Sequence, residues 1–171
     1  MVTISNHVDI RLIKTEAEWL AFQALRLSAL QTYPEAFGSS YEEESIMSIG
    51  AFKEGYKKCV IFGAFIADSL VGCAGFFTQS PIKMQHRGVL FSMYVEPSCR
   101  NKGIANLLVN AAIEYAKKCV LQLHTTVVTS NKSALNLYEK NGFIIYGTEP
   151  HSLKINNVFY DEHLMVLAFS D

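Results

Sequence analysis

The stretch Met93–Ala105, MYVEPSCRNKGIA, decides the fold because it joins a strand to a helix through a polar, basic loop. The strand predicted over Arg87–Val95 ends inside it, Pro97 forces a turn, and Gly103 permits close backbone approach where the helix begins. The first amides of a helix have no partners within the helix, so such a junction can bind a phosphate group. The loop lacks the G-x-x-x-x-G-K-[ST] pattern of a P-loop, which argues against simple nucleotide hydrolysis. By itself, a basic loop before a helix is more often a solvated turn.

Regular spacing of apolar residues on both sides of this stretch predicts a mixed α/β domain with the element order β-α-α-β-β-β-α-β-α-β-β. The first two helices begin at capping boxes, Thr15 with Glu18 and Ser39 with Glu42. We predict strands over 9–14, 59–67, 71–77, 87–95, 121–128, 143–146 and 159–168, and helices over 15–29, 39–52, 104–118 and 131–140. No repeat or linker interrupts the pattern, so we predict a single domain over residues 1–171.

The composition narrows the class of protein. The chain has 171 residues, of which 50% are hydrophobic and 18% charged, with a formal net charge of −1, so it can bury a core and shows no basic excess for nucleic acid. No apolar run approaches the roughly 18 residues of a membrane span, and the start MVTISNHVDIRLIK lacks the apolar stretch of a signal peptide. The four cysteines are scattered without metal-ligand spacing. We therefore predict a cytoplasmic protein without a metal site.

The chain contains two motifs at a fixed separation, Arg100-x-x-Gly103-x-Ala105 and Asn131-x-x-Ala134-x-x-x-Tyr138-x-x-x-Gly142-Phe143. The first follows a strand and a V-x-P triplet, and the second lies downstream beyond a helix and a strand. In this order and spacing the two motifs resemble those of the GCN5-related N-acetyltransferases, the GNAT family. The sequence departs from the family at Asn101, where glycine is frequent. Since Asn tolerates left-handed backbone better than most residues, we expect the loop to keep its shape.

The resemblance implies a central, mostly antiparallel, twisted sheet that splays between strands 4 and 5 and is flanked by about four helices. It also implies acetyl-CoA as co-substrate, with the pantetheine arm in the splay beside a bulge in the strand that ends at Val95, and the pyrophosphate on amides of residues 100–105. The residues that the resemblance assigns to acetyl-CoA are Met93, Tyr94, Val95, Arg100, Asn101, Lys102, Gly103, Ile104, Ala105, Asn131 and Tyr138. Tyr138 also matches the position that often protonates the departing thiolate.

Amine acetylation requires a proton acceptor, a hydrogen-bond donor for the oxyanion and an acid near the leaving thiolate. An ammonium must lose a proton before it attacks the thioester, the oxyanion needs a hydrogen-bond donor such as a strand amide near Tyr94 or Val95, and the thiolate leaves more easily beside a phenol. Taken alone, a tyrosine on an amphipathic helix is more often a packing residue. The general base stays open between a water chain and several side chains, namely Ser92, Glu96, His124, Asp161, Glu162 and the run Glu42–Glu44. Because no cysteine has a convincing histidine partner, we expect direct transfer without an acyl-enzyme.

The acceptor is less defined than the cofactor. The segment 33–44, YPEAFGSSYEEE, and the triplet His86-Arg87-Gly88 resemble a bacterial subgroup of the family, in which the region between the first two helices forms a wall of the acceptor site. Its acidic and aromatic composition would suit a cationic amine such as a polyamine, an aminoglycoside or an N-terminal peptide amine. A solvated helix start is the simpler explanation. The alternatives to an acetyltransferase are a non-catalytic acyl-CoA-binding or sensing module and a nucleotide-binding α/β domain with another chemistry. A homodimer through the C-terminal strands would be ordinary for the family.

Overall fold

The computed structural model describes residues 7–169, so residues 1–6 and 170–171, which belong to the domain predicted over 1–171, lie outside the described residues. The strands are β1 (Val8–Leu12), β2 (Cys59–Ile66), β3 (Ser69–Thr78), β4 (Arg87–Val95), β5 (Gln122–Val128), β6 (Ile144–Ile155) and β7 (Val158–Ala168). The helices are α1 (Glu16–Thr32), α2 (Tyr41–Ser45), α3 (Ile49–Gly55), α4 (Ile104–Ala116) and α5 (Lys132–Lys140). Among the helices of residues 7–169, none combines the length and apolar character needed to cross a membrane.

The seven strands form one sheet in the order β1-β2-β3-β4-β5-β7-β6. Within the described residues, β4 and β5 are the parallel pair and the other neighbours are antiparallel. The parallel pairing covers only three positions, from Arg87 opposite Gln122 to Val89 opposite His124, after which the two strands separate. This opening is the splay expected from the resemblance, and the predicted mixed α/β class with a mostly antiparallel sheet is confirmed.

A bulge interrupts β4 just before the strand ends. Its pairing with β3 shifts register between Cys73, which lies opposite Tyr94, and Gly75, which lies opposite Phe91. Ser92 lies within this irregular segment and has a φ of 54°, in the left-handed region. A bulge bends a strand and interrupts its hydrogen-bond ladder, so it directs the end of β4 away from β5.

Helices pack on both faces of the sheet, and an apolar cluster lies between the helices and the sheet on each face. On one face α4 packs against β2, β3 and β4, with Leu108 and Ala112 fully buried. On the other face α1 and α3 enclose an aromatic cluster around Phe22 and Phe52, whose ring centroids are 5.4 Å apart. Both helices with strong predicted periodicity, α1 and α4, bury the apolar stripe that the sequence indicates.

The helix predicted over 39–52 is wrong in one respect, because the chain forms two short helices there. The capping box lies one residue later than predicted: the Ser40 hydroxyl accepts from the Glu43 amide at 3.2 Å, and the Glu43 carboxylate accepts from the Ser40 amide at 3.0 Å. A second cap, Ser48, accepts from the Ala51 amide at 3.2 Å and starts α3. This competing N-cap divides the predicted helix, so residues 7–169 contain five α-helices.

The sixth strand is much longer than predicted. The predicted strand ends at Tyr146. Gly147 and Pro150 follow, and both residues usually weaken strands. In the structure β6 continues to Ile155, and register shifts in its pairing with β7 absorb both residues. The resulting β6–β7 hairpin forms one edge of the sheet.

Candidate active site

The splay between β4 and β5 opens two cavities that meet at the bulge. The first, about 680 Å³, lies against the loop before α4, and we call it the loop-side cavity. The second, about 510 Å³, follows the diverging strands β4 and β5, and we call it the strand-side cavity. The residues that line both are Ala36, Phe37, Met93, Val128, Asn131 and Ala134. A molecule lying in one cavity can therefore meet a molecule in the other near Met93.

Most residues that the resemblance assigns to acetyl-CoA line the loop-side cavity. They are Met93, Tyr94, Val95, Arg100, Asn101, Gly103, Ile104, Ala105 and Asn131. Two assigned residues do not line it. Lys102 is exposed, and its Nζ donates to the Ser98 carbonyl at 3.3 Å, whereas Tyr138 lines the strand-side cavity. The structure thus brings nine assigned residues to one surface and separates two from it.

The loop before α4 has the backbone shape of an anion site. Asn101 has a φ of 60° and Gly103 a φ of 77°, so the expectation that Asn101 tolerates left-handed backbone is confirmed. Gly103 is the N-cap of α4 and provides no side-chain hydrogen bond to the first amides of the helix. These amides and the positive end of the helix dipole lie at the wall of the loop-side cavity, where they suit a phosphate.

Arg100 stabilises this wall. Its Nε donates to the Val95 carbonyl at 3.0 Å, and its Nη1 donates to the Tyr33 hydroxyl, also at 3.0 Å. The guanidinium carbon lies 4.8 Å from the centre of the Tyr33 ring. Arg100 therefore connects the end of β4 to the residue that follows α1, and its charge stays at the mouth of the loop-side cavity.

Tyr138 is a buried phenol on α5, only 4% exposed, with its ring packed 5.5 Å from that of Phe143. Burial raises the pKa of Tyr138 to about 12, and a hydrogen bond with Thr125 offsets part of that effect. The phenol is therefore protonated at neutral pH and can donate a proton or a hydrogen bond. Asn131 starts the same helix, since its side-chain oxygen accepts from the Ala134 amide at 3.1 Å.

A buried ion pair supports the bulge from the other side, and sequence analysis missed it. Arg26 donates through Nε and Nη2 to the Glu44 carboxylate at 2.8 to 3.0 Å, and through Nη1 to the Ser92 hydroxyl at 2.8 Å. Arg26 is 5% exposed and Glu44 6%. The sequence held one signal: Arg26 lies within the apolar stripe of α1, one helical turn after Phe22, where an arginine needs a buried partner.

The candidate general bases differ in whether they line the strand-side cavity and in the hydrogen bonds that they already form. His124 lines the strand-side cavity, but its Nε2 already accepts from Arg87 Nε at 3.3 Å, and burial with the charge of Arg87 lowers its pKa. Glu162 lines the same cavity and accepts a hydrogen bond from the Ser152 hydroxyl at 2.5 Å. Asp161 accepts from the His151 amide at 2.8 Å. Glu162 is therefore the carboxylate at this surface.

Part of the segment 33–44 forms the expected wall, because residues 36–39 line the strand-side cavity, but its acidic run Glu42–Glu44 does not. Glu44 is paired with Arg26, and Glu43 is held in the capping box of α2. None of the three lines either cavity, and Glu96 also lies outside both linings. The helix dipole and the buried arginine, rather than a substrate, account for these carboxylates.

Comparisons with known proteins agree with this geometry. A family model described as acetyltransferase (GNAT) family matches residues 22–143. The chain is 28% identical over 139 residues to spermidine N(1)-acetyltransferase of Vibrio cholerae, which covers 77% of this chain and 80% of that protein.

Solved structures share the fold over nearly the whole chain. The acetyltransferase of the GNAT family from Streptococcus pneumoniae superimposes with a TM-score of 0.82 and 22% identity, covering 96% of this chain and 100% of that one. The structure of yncA from Salmonella typhimurium, solved with its cofactor acetyl-CoA, gives a TM-score of 0.83 and 17% identity over 96% of this chain and 95% of that one. Both neighbours support the fold of the splayed sheet.

The family model spans both motifs, the bulged strand and the helix between them. The loop-side cavity fits acetyl-CoA, because it combines free helix amides, a left-handed loop and an opened strand edge in one surface. The chain belongs to the GNAT acetyltransferase family and is an acetyl-CoA-dependent N-acyltransferase.

Proposed function

We propose that this enzyme transfers the acetyl group of acetyl-CoA directly to the primary amine of a small molecule held in the strand-side cavity. The observation that carries the proposal is the meeting of the two cavities at the bulge, with the phenol of Tyr138 in the wall of the second. A thioester that enters from the loop side reaches this junction near Met93. An amine that enters from the strand side reaches the same place.

The loop-side residues bind and orient acetyl-CoA in this proposal. Amides at the start of α4 and the loop around Asn101 and Gly103 hold the pyrophosphate, as expected for an uncapped helix N-terminus. Backbone groups at the end of β4, from Met93 to Val95, pair with the pantetheine arm because the bulge has released them from β5. A backbone amide there donates to the oxyanion that forms during attack.

Tyr138 acts as the acid that protonates the leaving thiolate. Its pKa of about 12 keeps the proton on the phenol at neutral pH, so the hydroxyl can donate a hydrogen bond, and then its proton, to the sulfur as the C–S bond breaks. Glu162 receives the proton that the ammonium loses, either directly or through water, since it is the carboxylate in the cavity lining. Because Cys73 is buried and burial raises its pKa to about 12, it is a poor nucleophile, which favours direct attack by the amine.

The first acceptors to test are small primary amines, including polyamines, because the Vibrio cholerae relative is a spermidine N(1)-acetyltransferase. The test measures thiol release from acetyl-CoA with an amine panel, using wild type, Tyr138→Phe and the matched control Tyr115→Phe. Tyr115 lies on α4, where its ring packs against those of Phe62 and Phe76, outside both cavity linings.

We expect Tyr138→Phe to lower kcat by about 100-fold, the usual scale of general acid catalysis, while the Kd for acetyl-CoA stays unchanged. Tyr115→Phe should keep the wild-type kcat. Normal acetyl-CoA binding with no amine-dependent thiol release in the wild type would contradict the transferase proposal and favour an acyl-CoA-binding module. A Tyr138→Phe variant with full kcat would remove the acid role from this residue alone.

A further inference from the structure

The lining of the strand-side cavity includes an arginine that forms no ion pair within residues 7–169. The charged residues in its lining are Arg26, Arg87 and Glu162. Arg26 is neutralised by Glu44, with an N–O distance of 2.8 Å. Arg87 has no such partner: within residues 7–169, no carboxylate lies within 4.0 Å of its guanidinium. A cavity built only for polycations would not be expected to place an unpaired arginine in its wall.

The hydrogen bonds of Arg87 leave its two terminal nitrogens without an acceptor in the described part of the chain. Among residues 7–169, the Arg87 side chain forms one hydrogen bond, in which Nε donates to His124 Nε2 at 3.3 Å. Gln122 also contacts His124 Nε2, at 2.9 Å. His124, itself in contact with Gln122, therefore fixes the position of the Arg87 side chain through Nε. The two terminal nitrogens, Nη1 and Nη2, stay free to donate, and their parallel N–H groups match the oxygens of a carboxylate or phosphonate.

The negative and positive groups of the cavity lie at opposite ends of β5. Glu162 is opposite Val128, near the junction with the loop-side cavity, whereas Arg87 is opposite Gln122 at the start of the strand. Thr125, the hydrogen-bond partner of Tyr138, lies between them. Three residue steps along the strand, from Gln122 to Thr125, span about 10 Å, and the arginine side chain shortens that gap. An acceptor with its amine at Tyr138 can thus extend toward Arg87.

We propose that the strand-side cavity takes an amine that also carries an oxyanion, a carboxylate or a phosphonate, bound by the terminal nitrogens of Arg87 several bonds away from the amine. This inference rests on the proposed acetyl transfer and narrows its acceptor class. A polyamine in the same pose would place a second ammonium against Arg87, which like-charge repulsion disfavours.

The experiment compares amines that differ in the charge of the distal group or in its distance from the amine. The panel contains 4-aminobutanoate, its amide 4-aminobutanamide, 3-aminopropylphosphonate, the longer 6-aminohexanoate, and spermidine. Thiol release from acetyl-CoA is followed with wild type, Arg87→Gln, Arg87→Lys and the control Lys118→Gln. Lys118 is an exposed cation just after α4, outside both cavity linings.

We expect the kcat/KM of at least one acid to exceed that of the amide by about 10-fold or more in the wild type. Arg87→Gln should abolish this preference by raising the KM of the acids alone, Arg87→Lys should keep part of it, and Lys118→Gln should keep all of it. A preference for phosphonate over carboxylate, or the reverse, identifies the oxyanion. Equal rates for acid and amide, or best turnover of spermidine with no effect of Arg87→Gln, would overturn the inference while leaving acetyl transfer intact.

A binding measurement separates the two proposals if no amine is acetylated. Calorimetric titration of 4-aminobutanoate and 6-aminohexanoate into the CoA-saturated wild type should still give heat that Arg87→Gln abolishes. That result supports the oxyanion site even if the transferase proposal has failed. An absence of heat with both acids, in a wild type whose thermal melt shows that it is folded, overturns it.

Discussion

The two cavities are built in opposite ways. The loop-side cavity takes its anion-binding groups from one continuous stretch, in which backbone amides and two left-handed residues, Asn101 and Gly103, do most of the shaping. The strand-side cavity gathers side chains from α1, β4, β5, α5 and β7, elements that lie far apart in the sequence. Backbone groups suit a co-substrate that every member of a family shares. Side chains suit an acceptor that differs between members.

The cavities also differ in how they are held together. Behind the strand-side cavity, the Arg26–Glu44 pair and its hydrogen bond to Ser92 fix the inner wall and the bulge at once. The loop-side cavity depends instead on the fit of its loop, with Arg100 as a partly exposed tie to Tyr33. Damage to the first should therefore appear as lost stability, and damage to the second as lost binding.

The largest effect is expected from breaking the buried ion pair. Arg26→Met leaves the Glu44 carboxylate buried and unpaired, which should lower the free energy of unfolding by about 3–5 kcal/mol, measured by urea unfolding. The double variant Arg26→Met/Glu44→Leu should recover most of this loss, because it removes the uncompensated charge. A single variant as stable as the wild type would show that the pair is not part of the cavity wall. Where the single variant stays folded, its Kd for acetyl-CoA should be close to the wild-type value.

The next effect tests the loop-side cavity. Gly103→Glu places a side chain on a residue with φ of 77° and brings a negative charge to the proposed pyrophosphate position. Since left-handed backbone alone costs a non-glycine residue about 1–2 kcal/mol, we expect the Kd for acetyl-CoA to rise roughly 100-fold, about 2.7 kcal/mol. Gly55→Glu is the matched control, because Gly55 lies at the end of α3 with open space around it. Equal binding by both variants would contradict the loop as the phosphate site.

The loop-side cavity could be predicted from the sequence because its information is local. The bounds of β4 and the start of α4 were predicted to the residue, since Pro97 and Gly103 act on their immediate neighbours. The splay and the bulge came from the resemblance, which links them to two short motifs. Periodicity alone contains nothing that would separate β4 from β5.

The strand-side cavity could not be predicted in the same way. Arg26 lies 18 residues from Glu44 and 66 from Ser92, so their contact depends on how α1, α2 and β4 pack. The direction of His124 was left open because alternation in β5 does not say which face is which. The length of β6 was missed because its pairing with β7 outweighs the local weakness of Gly147.

A smaller effect tests whether the bulge is strained. Ser92→Ala and Ser92→Gly both remove the hydroxyl that Arg26 contacts, but only glycine relieves the left-handed φ of 54°. After the entropy cost of glycine, Ser92→Gly should be more stable than Ser92→Ala by about 0.5–1 kcal/mol in urea unfolding. Ala67→Gly, at an exposed hairpin turn with φ of 47°, should show a gain of the same sign. A less stable glycine variant at residue 92 would mean that the bulge tolerates a side chain without strain.

The smallest effect is a pH dependence that belongs to the strand-side cavity. Burial, together with the charges of Arg87 and His86, lowers the pKa of His124, so the unfolded chain binds this proton more readily than the folded one. The contribution of neutral His124 to the free energy of unfolding should therefore be fully present above about pH 6.5, the usual pKa of histidine. The free energy of unfolding should fall as the pH drops below that value.

His124→Gln should flatten the plot of the free energy of unfolding against pH in this range. The change in slope should be much smaller than about 1.4 kcal/mol per pH unit, the value for one fully linked proton, because the ring is only partly buried. Urea unfolding between pH 5 and 8 measures the difference from the wild type. Gln122→Met should keep the wild-type slope, since it removes a neighbour of His124 but not the titrating ring. Parallel profiles for wild type and His124→Gln would mean that water reaches the ring freely and that burial does not lower the pKa of His124.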